Sequence, residues 1–213
     1  GTFVGTPTWV QGKVGSALDF SGSGQYVTMG DNLDLIGSPL TISVWVKPRN
    51  HVAYGGIVSK LATGGNYRLV MNDTSGKVSF GIRASDNTFQ AMASTSTLPL
   101  NEWSHIVVTY DNATTAKMYI NGKLDVQSSA FTVSRGDATT AFAVGYNSNN
   151  AAYFDGAIDH VQLYNYVRSE AQISWDYSRG APIAHYKLNE CQGSTVHSSI
   201  LPYNSLLNGT INV

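Results

Sequence analysis

Short runs of alternating apolar and polar residues recur along most of this chain, and turn residues separate them. They cover residues 17–20, 40–46, 67–71, 78–82, 104–110, 116–120, 140–145 and 156–164. A side-chain period of two over four to nine residues fits a β-strand with one buried face, and it does not fit a helix. Many such strands at regular spacing specify a sandwich or a barrel. A length of 213 residues suits one large all-β unit.

The turns between runs have physical causes. Asn121-Gly122 stands between Met118-Tyr119-Ile120 and Lys123-Leu124-Asp125. Both residues tolerate positive φ, so this pair predicts a tight hairpin. Asn72-Asp73-Thr74-Ser75-Gly76-Lys77 joins two further runs, with Gly76 available for a left-handed position. One helix is predicted near residues 169–178. Ser169 caps it, Glu170 lies in its first turn, Ile173 and Tyr177 share a face, and Gly180 and Pro182 end it.

Composition then narrows the function classes. Charged residues make up 13% of the chain, about half the usual share. Ser, Thr, Asn, Gln and Gly must therefore supply the polar surface, as in secreted β-proteins, and neutral hydroxyl and amide groups also suit sugar contacts. The net charge of −1 and the absence of a Lys/Arg run argue against nucleic acid as a partner. No apolar stretch approaches the length of a membrane-spanning helix. Cys191 is the single cysteine, which excludes an intrachain disulfide and a cysteine-based zinc site. It reads as a small apolar residue, with an intermolecular disulfide as the alternative. An opening Gly1 in place of Met implies a processed product or a piece of a longer chain.

Four motifs carry a family resemblance. Gly12-Lys13-Val14-Gly15-Ser16-Ala17-Leu18-Asp19-Phe20-Ser21-Gly22 is the first, followed by Gln25-Tyr26-Val27. Thr41-Ile42-Ser43-Val44-Trp45-Val46-Lys47-Pro48 is the second. The third is Leu100-Asn101-Glu102-Trp103-Ser104-His105-Ile106-Val107-Val108-Thr109-Tyr110-Asp111, running on to Lys117-Met118-Tyr119-Ile120-Asn121-Gly122. The fourth is Phe154-Asp155-Gly156-Ala157-Ile158-Asp159-His160-Val161, closing with Tyr164-Asn165-Tyr166. Over residues 6–178 the chain resembles bacterial laminin-G-like domains of the concanavalin A-like class. The resemblance implies an all-β fold, a two-sheet antiparallel jelly-roll sandwich, and leaves function open because this fold hosts many roles. Trp45 and Trp103, set in alternating runs, are expected to pack between the two sheets.

Against that family order one segment is displaced. Ala184-His185-Tyr186-Lys187-Leu188-Asn189-Glu190 and the loop after it resemble the family's opening strand, yet they stand at the C-terminus. Residues 1–178 thus read as a sandwich lacking its first strand, and residues 183–213 as a first strand lacking its sandwich. An unfilled slot exposes backbone groups and an apolar strip, which is costly. Three fillings remain open. The tail folds back, making a circularly permuted monomer; His185, Tyr186, Lys187 and Leu188 enter another copy head-to-tail; or adjacent repeats of a tandem array complete one another.

Site candidates follow in the same terms. The resemblance admits glycoside hydrolases, and retaining hydrolysis needs two carboxyl groups about 5–5.5 Å apart. The three glutamates are Glu102 in a turn, Glu170 opening the helix and Glu190 in the displaced segment. Asp155 and Asp159 lie four apart, with Gly156 suggesting a turn between them. No Gly-x-Ser-x-Gly elbow occurs, and nothing orients a Cys191/His197 pair. The chain is therefore read as no enzyme. The resemblance implies one structural calcium ion between first and last strands, with Asp159, Asn189 and Glu190 as ligands. For carbohydrate, aromatic and planar polar groups in loops and strand ends single out Tyr54, Arg83, Gln90, Tyr146, Asn147 and Tyr153. The expected function is a non-catalytic structural or adhesive module, extracellular or on a cell surface, joined to other copies or adjacent repeats. A carbohydrate-binding module is the alternative, with glycans as partners.

Overall fold

The computed structural model describes residues 1–178 and two short strands, Thr195–Val196 and Gly209–Thr210, which pair antiparallel with each other. The displaced segment from Ala184 to Glu190, Cys191, and the expected helix terminators Gly180 and Pro182 lie outside the described residues.

Two facing sheets enclose the core. The first runs in the order β1 (Thr2–Val4), β4 (Tyr26–Thr28), β13 (Ala143–Val144), β6 (Gly56–Ser59), β7 (Asn66–Met71), β8 (Val78–Arg83) and β9 (Phe89–Ala93). A side hairpin of β14 (Tyr146–Asn147) and β15 (Ala152–Tyr153) attaches to β6. The second runs β12 (Lys123–Ser128), β11 (Ala116–Ile120), β10 (Ser104–Tyr110), β5 (Leu40–Pro48), β16 (Asp155–Tyr164), β3 (Ser16–Ser21) and β2 (Thr8–Gln11). Both are antiparallel along these paths.

Strand parity sets the core. Leu40, Ile42, Val44 and Val46 of β5 meet Tyr67, Leu69 and Met71 of β7 and Val78, Phe80 and Ile82 of β8 in one buried cluster. Each such side chain contributes roughly 1.5–3 kcal/mol on full burial. The same parity corrects the expectation for Trp45. Val44 and Val46 take the inward face, so Trp45 points out of the sandwich. There it is 2% exposed, because a helix covers it. That helix, α1 (Glu170–Ser178), buries Ile173 against Val107 and Tyr119 and stacks Tyr177 on Trp45 at 5.7 Å. Trp103 precedes β10, half-buried, and lines a surface recess rather than the core.

Local signals are realised closely. Asn121 and Gly122 adopt φ of 51° and 76° between the paired Ile120 and Lys123. At the start of α1, the Gln172 N–H donates to Ser169 Oγ (3.2 Å), and the Ser169 N–H donates to Gln172 Oε1 (2.9 Å), a reciprocal capping box. Two expectations change. The run at residues 140–145 yields only β13, because Thr140 O accepts from buried Lys60 and Phe142 bonds to Met29 and Gly30. Gly156 makes no turn between Asp155 and Asp159. It lies inside β16, where a Cβ would meet Lys47 O at 2.2 Å.

Candidate functional site

The outer face of the first sheet gathers aromatic and cationic side chains. Val27 faces the core, so its neighbour Tyr26 faces out. Tyr67 and Leu69 face the core, so Arg68 faces out. Phe80 and Ile82 do the same for Gly81 and Arg83. At the β4 end, Tyr146 and Tyr153 are cross-strand partners with ring centroids 4.7 Å apart, and Tyr26 stacks on Tyr146 at 4.7 Å. Gly56 permits this approach: a Cβ there would lie 2.1 Å from the Tyr146 carbonyl carbon.

The loop from Tyr146 to Tyr153 reaches across to the β7–β9 end. Asn147 is fully buried and donates to Tyr54 O (3.1 Å) and Asn150 Oδ1 (3.0 Å). Asn150 Oδ1 also accepts from Arg68 Nη1 (2.6 Å), and Asn149 Oδ1 accepts from Arg83 Nη1 (2.9 Å). Both guanidinium groups lie over Phe89, at 4.9 Å for Arg68 and 5.6 Å for Arg83, and Arg68 also lies 5.7 Å from the Tyr54 ring. Phe89 itself sits above Gly81, where a Cβ would meet its ring at 2.5 Å. Burial, with a smaller contribution from neighbouring Arg83, holds the Arg68 pKa below its ordinary value.

Of the six carbohydrate candidates, Tyr54, Arg83, Tyr146, Asn147 and Tyr153 come to this face. Asn147 does so as a buried brace. Gln90 departs: Phe89 and Ala91 take the outer parity, and Gln90 bonds to Thr132 through both ends of its amide. Arg68, Phe89 and Tyr26 belong to the face and were not expected. A charged residue amid the apolar run Tyr67-Arg68-Leu69-Val70-Met71 is a legible signal for Arg68. Nothing local marks Phe89 or Tyr26, whose outward direction depends on which neighbour the core takes.

The remaining candidates have separate duties. Asp159 is 6% exposed, and its Oδ2 accepts from the Val14 N–H (2.8 Å), holding the turn at Gly12–Gly15. Among the expected calcium ligands it is the one that lies in the described residues. Among those residues no group of three or more His, Cys, Asp or Glu side chains is placed to hold a metal. Asp155 is bonded to Arg49 (2.5 Å) and Asn50 (2.6 Å). Arg49 also bridges to Asp19, whose hydrogen bond leads in raising the arginine pKa. This network borders a recess of about 370 Å³ lined by Lys47, Asn101 and Trp103. Among the described residues no helix is long and apolar enough to cross a membrane.

The fold and this face define an antiparallel jelly-roll sandwich whose first sheet gathers aromatic and guanidinium groups on its outer side. A laminin G family model, described as the concanavalin A-like lectin/glucanases superfamily, matches residues 21–174, and the chain belongs to that family. Among curated proteins none matches it in sequence. Solved structures share the fold. The binding domain of Paraclostridial Mosquitocidal Protein 1 superposes with a TM-score of 0.70 at 14% identity, covering 84% of this chain and 47% of that one. Domain 4 of AbnA, a GH43 extracellular arabinanase from Geobacillus stearothermophilus, solved with arabinotriose, gives 0.69 at 24%, covering 81% of each. The botulinum neurotoxin serotype G binding domain gives 0.67 at 11%, covering 84% and 46%. The chain thus spans about half the length of these toxin domains.

Proposed function

We propose that this chain is a non-catalytic carbohydrate-binding module of an extracellular or cell-surface protein, contacting glycan through the outer face of its first sheet. One observation carries the reading: Tyr26, Tyr146 and Tyr153 cluster on the same face as Tyr54, Arg68, Arg83 and Phe89. Aromatic faces beside fixed polar donors are the elements of a sugar site. The similar structures support it in kind, since the two toxin structures are binding domains and domain 4 of AbnA was solved with arabinotriose. A non-catalytic role is supported by the carboxylates, because Asp19 and Asp155 are tied to Arg49 and Asp159 to a backbone amide. Tyr153→Ala should abolish retention on immobilised glycans in affinity electrophoresis while leaving the thermal unfolding temperature within a few degrees. A glycan array with no hits for the unmutated chain would overturn the reading.

A second reading, a structural link through the C-terminal strand, is favoured by the edge of β16. β3 pairs only with Asp155–Ile158, and among the described residues no strand pairs with that side of β16 beyond the bulge at Asp159–Gln162. Alongside lies an apolar recess of about 210 Å³ lined by Trp9, Leu18, Val27, Met29 and Val161. Residues 184–190 alternate with Ala184, Tyr186 and Leu188 on one side, the pattern an edge and an apolar groove accept. Under this reading the chain sediments as a concentration-dependent series of species, and deletion of residues 183–213 yields a single monomeric species. A full-length chain that sediments as a monomer at every concentration would sink it.

A further inference from the structure

We infer that the paired guanidinium groups of Arg68 and Arg83 make the outer face selective for acidic glycans, those bearing a carboxylate or sulfate group. The inference rests on the carbohydrate-binding reading and names the ligand class of that same face.

Arg68 is 8% exposed and lies in β7 beside Arg83 of β8, with the ring of Phe89 against both. Neither forms an ion pair with any described residue; the pairs present involve Arg49, Lys60, Lys117 and Arg168. Each guanidinium donates to one asparagine amide oxygen, and the Nε of each finds no acceptor. Lys60 and Arg168 have carboxylate partners instead. Lys60, fully buried, meets Asp31 (2.5 Å) and Asp34 (2.9 Å). Arg168 holds Asp176 with two bonds. Arg135, 2% exposed, also lacks a carboxylate, but it lies apart from the outer face and its Nη2 donates to the carbonyls of Leu35 and Ser38 inside the fold.

Two like charges side by side, one desolvated and neither neutralised, raise the energy of the free protein. An external oxyanion relieves that cost, and the planar fork of a guanidinium matches carboxylate and sulfate geometry. Asn149 and Asn150 fix the forks in place, while Tyr54 and Phe89, 44% and 37% exposed, offer ring faces to the sugar. The whole chain has net charge −1. Attraction of an acidic sugar must therefore arise from this local pair, because the overall charge gives none.

The test is calorimetric titration of the intact chain with two pairs of probes: galacturonate oligosaccharides and their fully methyl-esterified twins, and a sulfated galactan fragment and its desulfated twin. An acidic member should bind about tenfold or more tightly than its neutral twin, and Arg83→Gln should remove that difference. Which acidic probe responds distinguishes carboxylate from sulfate. Arg68→Lys, which keeps the charge but loses the fork, should lower affinity for the acidic probe, and circular dichroism reports whether it folds. Equal affinity for acidic and neutral twins, unchanged in Arg83→Gln, overturns the acidic selectivity and leaves the carbohydrate reading standing. Binding to no oligosaccharide overturns both.

Discussion

At the scale of single residues, burial shows which polar groups the fold desolvates. His105 is 1% exposed, stacks on Trp45 at 4.8 Å and shares a hydrogen bond with Ser43 Oγ. Burial, aided by nearby His160, lowers its pKa to about 4. In the unfolded chain the ordinary value is near 6.5. Between those values the unfolded state takes up a proton that the folded state refuses, so stability falls as pH drops from 6.5 to 4 and levels off below. The total is on the order of 3 kcal/mol. Urea midpoints measured across that window should decline for the unmutated chain and stay flatter for His105→Gln. The Lys60 cluster behaves oppositely to the arginine pair. Burial pushes Asp34 up, but hydrogen bonds from Lys60 and Asn66 outweigh it and hold the carboxyl below its ordinary value. Lys60 therefore has its counter-charge inside the fold, whereas Arg68 and Arg83 do not.

At the scale of elements, the helix and the hairpin at Tyr146–Tyr153 show how far local chemistry reaches. Ser169 and Gln172 close the capping box in sequence-local fashion, and the cap was legible in the residues around Glu170. Ser169→Ala should cost about 1 kcal/mol in a thermal melt, and a loss of Trp45 fluorescence environment should accompany it, because α1 roofs that ring through Tyr177. An unchanged melt would mean that Ile173 packing alone holds the helix. The Tyr146–Tyr153 hairpin is different. The sequence singles out Tyr146, Asn147 and Tyr153 in it, but its seat on β6 depends on Gly56, about 90 residues before Tyr146 in the chain. Period two identified β5, β7, β8, β10, β11 and β16 because each has one clean apolar face in the core. The short strands β1, β4 and β6 carry too few residues for alternation to register, and β13 is two residues of the longer run at 140–145.

At the scale of the whole molecule, two sheets in sandwich order bring the tyrosine cluster of β4 and the side hairpin onto the same face as the arginines of β7 and β8. The covered and open parts of the molecule follow from that order. Part of the outer face of the second sheet is covered: the chain at Tyr166 and Arg168 closes over Thr41, His105 meets Ser43, and α1 lays Tyr177 on Trp45. The corresponding face of the first sheet carries Tyr54 and Phe89 in the open.

By itself the sequence determined the class of fold, the hairpin at Asn121-Gly122, the helix start at Ser169 and most of the residues gathered on the proposed binding face, because each rests on periodicity or on a few adjacent residues. The tertiary structure decided which face each strand turns inward. That choice moved Trp45 out of the core and under a helix, turned Gln90 toward Thr132, and set Arg68 beside Arg83 under Phe89. Parity along a strand is a local property, but the side that becomes inside is fixed only when a second sheet packs against it.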